Sequence, residues 1–91
     1  MKVANMTSST GNEVPNQFII VDDTGGRTFQ SYWSVIAHIS ADGSVTLDRN
    51  KWDYLVTTGK YRNQFLGEGI AETRKKIKSG VYTLADLNQR S

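Results

Sequence analysis

Asp23-Thr24-Gly25 follows an apolar stretch, QFIIVDD at residues 17–23, and spells the triplet that carries the catalytic carboxyl of aspartic proteases. That chemistry needs two carboxyls sharing one proton, here through a homodimer. Asp22 stands where an apolar residue belongs, and the apolar-apolar-glycine strand that supports such a site is missing near the C-terminus. Asp-Thr-Gly-Gly therefore predicts a hairpin turn rather than a protease. Gly59-Lys60 raises phosphate binding. A phosphate loop puts its first glycine five residues before the second and a hydroxyl after the lysine. Those positions hold Tyr54 and Tyr61. The stretch predicts a helix start capped by Thr57 or Thr58, with Lys60 outward and Tyr61 and Phe65 inward. His38 is the single histidine and has no companion at ligand spacing. Asp22, Asp23, Asp42, Asp48 and Asp53 are scattered over turns and do not form a calcium loop. No hydroxyl has a recognisable base beside it. These observations predict a protein that is not an enzyme and takes no cofactor or metal.

Charge and aromatic side chains offer binding instead. TRKKIKSG is the densest run of charge, and residues 60–91 carry seven basic groups against three acidic, whereas residues 1–59 carry four against six. Arg74, Lys75, Lys76 and Lys78 lie on one expected helix. Glu72 and Lys76 are spaced to pair along it, an arrangement that helix stability alone would favour. With Lys60 and Arg62 beside them, these cations could instead touch phosphates or an acidic partner. Nothing resembles a DNA-reading helix or an RNA-binding aromatic signature. Tyr32 and Trp33 are neighbours in an extended run, so their side chains point to opposite faces, and one of the two should face outward, where an aromatic ring anchors an interface, or cover a helix.

These residues must be positioned by a small frame. The chain has 91 residues, no cysteine, 37% hydrophobic and 22% charged residues, and a net charge of +2. One domain with one core is expected, without disulfides or zinc-binding thiolates, and an intracellular setting follows. No apolar run suggests a signal peptide or a membrane span. Residues 1–16 are polar and predict a flexible N-terminal arm. Residues 17–91 predict a single α+β domain, with a sheet over 17–56 and helices over 57–88. The sheet is an antiparallel meander of three to five strands, with an Asp-Gly hairpin at residues 41–44 and a last strand through Trp52, Tyr54 and Val56. Two or three short helices pack on one of its faces. Gly67 and Gly69 break the first helix, and Gly80 ends the second, whose inner stripe is Ile70, Thr73 and Ile77. A third begins at Thr83, with Asp86 completing its cap and Leu84 and Leu87 inward.

FQSYWSVIAHI, GSVTLD, KWDYLVTTGKYRNQFLG and YTLADLN together resemble a family of small uncharacterised proteins of bacteriophages and prophages. The shared pattern is F-x-S-Y (Phe29, Ser31, Tyr32), then G-x-V-T-L-D (Gly43 to Asp48), then W-D-Y with T-T (Trp52, Asp53, Tyr54, Thr57, Thr58), then Phe65-Leu66. The resemblance spans residues 18–88 and implies a phage context, hence the cytoplasm of a bacterial host. The expected function is a non-enzymatic protein-binding module that inhibits or redirects a host protein, a defence nuclease or part of the transcription machinery. The alternative is a nucleic-acid-binding accessory protein using the basic C-terminal helices. Tyr32, Trp33, Lys60, Arg62, Arg74, Lys75, Lys76 and Lys78 are the candidate partner-binding residues. A net charge of +2 argues against DNA mimicry, so an inhibitor would act by shape.

Overall fold

A computed structural model describes residues 1–88; residues 89–91 of the expected domain lie outside the described residues. Strands β1 (Lys2–Thr7), β2 (Glu13–Val21), β3 (Arg27–Ser31), β4 (Ser34–Ile39) and β5 (Val45–Asp48) form an antiparallel meander. Helices α1 (Val56–Leu66) and α2 (Ile70–Ser79) follow, and β6 (Tyr82–Ala85) returns to pair parallel with β5. The sheet order is β1-β2-β3-β4-β5-β6. The fold is α+β, with six strands where three to five were expected, and two helices.

Strand register explains the core. Ile19, Phe29, Ala37 and Leu47 stand opposite one another across four strands, and Leu84 joins them from β6. The helices cover this face. Phe65 of α1 lies with its ring centroid 5.8 Å from that of Phe29, and Ile77 of α2 packs against the same cluster. A bulge between Phe29 and Gln30 gives β4 one extra residue, and Ile36 and Ala37 are both fully buried there. The other face carries Phe18, Ile20, Thr28, Val35, His38 and Thr46, all half-buried. His38 Nδ1 and the Thr28 hydroxyl lie 2.9 Å apart on it.

Three expectations need correction. Residues 1–16 are not an arm: they hold β1 and the start of β2. Backbone pairing with β2 makes this edge, whose side chains are mostly exposed as on an edge strand. Met6 is buried in the core and Val14 packs against it. Trp52, Tyr54 and Val56 do not share a strand. Buried Asp48 gathers this segment into turns, its Oδ2 accepting from the N–H groups of Asn50 and Lys51 and its Oδ1 from that of Leu87. The segment at Thr83 is a strand and not a third helix. Tyr82 and Thr83 favour extended backbone, and four paired positions on β5 outweigh a local capping pattern.

The turns match their chemistry. Asp22 Oδ1 accepts from the Thr24 N–H, the Thr24 hydroxyl and the Gly26 N–H. The Thr24 hydroxyl is the main cause of the Asp22 carboxyl lying below its ordinary range. Asp42 holds the Ala41–Ser44 turn in the same manner. Gly67 and Gly80 close α1 and α2 in the left-handed conformation, with φ of 72° and 85°.

Candidate functional site

The β3–β4 hairpin turns through two residues, Tyr32 and Trp33, between the paired Ser31 and Ser34. They occupy a loop and not a strand, so both can face solvent. Trp33 is 91% exposed and Tyr32 is at the border of exposure. Tyr32 has φ 56°, a left-handed value that glycine or asparagine adopts in such turns. A bulky residue there is strained. The strain is held by the Tyr32 N–H donating to the Asn16 carbonyl at 2.6 Å and by the Gln30 amide donating to the Tyr32 carbonyl. Underneath, the hydroxyls of Ser31 and Thr58 meet at 2.8 Å in a fully buried bond. This ties the hairpin to the first turn of α1, where Leu55 and Val56 are also exposed. Thr58 therefore does not cap the helix. The N-cap is Leu55, in extended conformation, with no side-chain cap.

The expected basic cluster separates. Arg62 is 1% exposed. Its Nη1 donates to the Trp52 carbonyl at 2.8 Å and to Asp53 Oδ1 at 3.0 Å, and its Nη2 to Asn63 Oδ1 at 2.8 Å. The guanidinium also lies 5.4 Å from the Trp52 ring centroid. It is an internal strut: the long side chain folds inward, where the Asp53 carboxylate and the Trp52 carbonyl accept from it. Lys76 pairs with Glu68 at 2.7 Å rather than with Glu72. Arg74 reaches Asp53 Oδ2 at 3.3 Å. Lys60, Lys75 and Lys78 are exposed. Lys60, Arg62 and Arg74 line one groove, and Lys75, Lys76 and Lys78 lie outside it.

Glu68 organises a second polar cluster. Its Oε1 accepts from Lys76 Nζ and, at 2.9 Å, from the Tyr82 hydroxyl, and its Oε2 accepts from the Thr73 hydroxyl at 2.7 Å. Burial pushes the carboxyl up, but the bonds from Lys76, Thr73 and Tyr82 together hold it below its ordinary value. Lys76 is raised by its bond to Glu68; Tyr82 is raised by burial and then by the same carboxylate. A depressed Glu68 contributes stability that is complete above about pH 4.5, its ordinary value, and is lost as pH falls through the folded value. The raised Lys76 and Tyr82 contribute below about pH 10 and lose their contribution as pH rises through their folded values. Urea unfolding of Glu68→Gln should accordingly show a flatter stability profile below pH 4.5 than the parent. Parallel profiles would mean that Glu68 gains nothing from these bonds.

Among the described residues no three His, Asp or Glu side chains gather at metal-holding distance, and no helix is long and apolar enough to cross a membrane. A small α+β domain with a strained aromatic hairpin and a buried arginine strut is the class of protein this geometry defines. The chain belongs to a family of unknown function, DUF8033, whose match covers residues 1–80. No curated protein and no solved structure matches it.

Proposed function

We propose that this chain is a phage-encoded, non-enzymatic protein-binding module that acts in the host cytoplasm, inhibiting or redirecting a host protein such as a defence nuclease or part of the transcription machinery. The phage context comes from the motif resemblance. The observation that carries the binding role is Trp33, 91% exposed at the tip of a hairpin whose backbone is strained to present it. A solvent-facing indole contributes nothing to the core, and aromatic anchors dominate protein interfaces. Strain of this kind persists where the fold around it holds the residue in place. Nucleic-acid binding is less well supported than the sequence suggested, because Arg62 is internal and Lys76 is engaged by Glu68.

Trp33→Ala should leave the melting temperature nearly unchanged while weakening partner affinity by about thirtyfold or more, the effect of losing a hot-spot side chain of about 2 kcal/mol. The check is affinity capture from a bacterial host lysate with the parent and the variant side by side, followed by titration of the retained protein. Equal retention by both would remove the hairpin from the interface. Sub-micromolar binding of duplex DNA at physiological salt, with a steep salt dependence, would favour the nucleic-acid alternative.

A further inference from the structure

A groove runs between residues 53–55, the first turns of α1 and the start of α2. It has a volume of about 620 Å³ and is wide open to solvent. Three cations, Lys60, Arg62 and Arg74, line it against one carboxylate, Asp53. Both guanidiniums share that carboxylate, Arg62 on Oδ1 and Arg74 on Oδ2. Lys60 has no acidic partner among the described residues. Buried Arg62 also keeps an Nε–H with no protein acceptor. The end of α1 that faces the groove has neither a side-chain cap nor an acidic residue in its first turn, so its positive dipole end is uncompensated. The groove is thus positive in excess of its own counter-charge. Leu55 and Val56, which are exposed, and half-buried Ile70 add apolar surface to the lining, alongside Tyr54 and Asn63.

We infer that this groove docks a short acidic segment of a partner protein, with an Asp or Glu carboxylate drawn to Lys60 and Arg74 and a neighbouring apolar side chain laid on Leu55, Val56 and Ile70. The inference rests on the protein-binding reading but uses a surface other than the hairpin tip. Charge complementarity selects the carboxylate. Arg74 is exposed and holds Asp53 only at 3.3 Å, so it can turn to a new acceptor with little loss. Asp53 itself disfavours a polyanion, and Lys75 and Lys78, which a nucleic-acid backbone would need, do not line the groove. An open trough of this size with mixed lining suits a few residues of extended chain.

The test uses the full chain as bait for a displayed library of random heptapeptides. The expected result is enrichment of Asp or Glu next to Leu, Ile, Val or Phe. Affinity of the selected peptides should fall at least tenfold for a Lys60→Gln, Arg74→Gln double variant, and also when the peptide glutamate becomes glutamine. The ¹H–¹⁵N signals of Leu55, Val56 and Ile70 should shift on binding. Both substituted side chains are exposed, so a circular dichroism melt should match the parent. Selected peptides without acidic residues, or binding that survives the double variant, would overturn the inference. Binding lost only in Trp33→Ala would also overturn it while leaving the hairpin reading intact. A single-stranded oligonucleotide that displaced every selected peptide would overturn it in favour of nucleic acid.

Discussion

Phe65→Ala is expected to lower stability by about 3–5 kcal/mol, the cost of truncating a buried aromatic to a cavity. Phe65 is 8% exposed and tilts against Phe29, which is wholly buried at the centre of the sheet. The Arg27 guanidinium lies 5.9 Å from its ring centroid on the outer side. The void would therefore open between α1 and β3, where Phe65 meets Phe29. A domain of this size has roughly 5–15 kcal/mol in total. The variant should unfold at a much lower urea concentration than the parent, or fail to fold at room temperature. Phe65→Leu, which keeps most of the volume, should recover over half of the loss. A melting temperature unchanged in Phe65→Ala would place the ring on the surface and reverse the helix phase.

The inward phase of Phe65 was legible because helical spacing from Tyr61 is a local property, as were the turns at residues 22–26 and 41–44 and the helix ends at Gly67 and Gly80. Each is decided by two to five adjacent residues. What was not legible is decided at a distance. The mostly exposed β1 becomes a strand only because β2 offers it a backbone ladder, and β6 only because β5 does. No short-range pattern carries either fact. Asp48 looks in sequence like one of five scattered turn aspartates, yet it accepts from the N–H groups of residues 50, 51 and 87 and anchors both ends of the helical segment. Gln17 sits fully buried opposite Ser31, and neither of its amide atoms meets a protein partner. A period-two pattern registers it only as an interruption. For the site, adjacency of Tyr32 and Trp33 pointed to one exposed ring, but the two-residue loop that exposes them is set by pairing Ser31 with Ser34.

Arg62 is where sequence and structure differ most, and its substitution carries the second large effect. Arg62→Met is expected to cost roughly 3–4 kcal/mol, because it removes three charge-assisted bonds from a buried position. The Trp52 carbonyl and Asn63 Oδ1 would each lose a donor, and Asp53 would keep only its exposed contact with Arg74. Methionine nearly matches the length of the stem, so the loss measures the bonds and the stacking on Trp52 more than volume. Arg62→Lys should recover little, since an ammonium cannot span Trp52 and Asn63 as a planar fork does. Arg74→Gln is the control: it removes the other partner of Asp53 from an exposed site and should cost under about 1 kcal/mol. The measurement is chemical unfolding of all three variants. A stable Arg62→Met that bound its partner more weakly would return Arg62 to the set of contact residues, and with it the continuous basic surface that the chain's C-terminal charge suggested. A destabilised one leaves Lys60 and Arg74 as the groove's usable cations, with Arg62 engaged by the Trp52 carbonyl, Asp53 and Asn63.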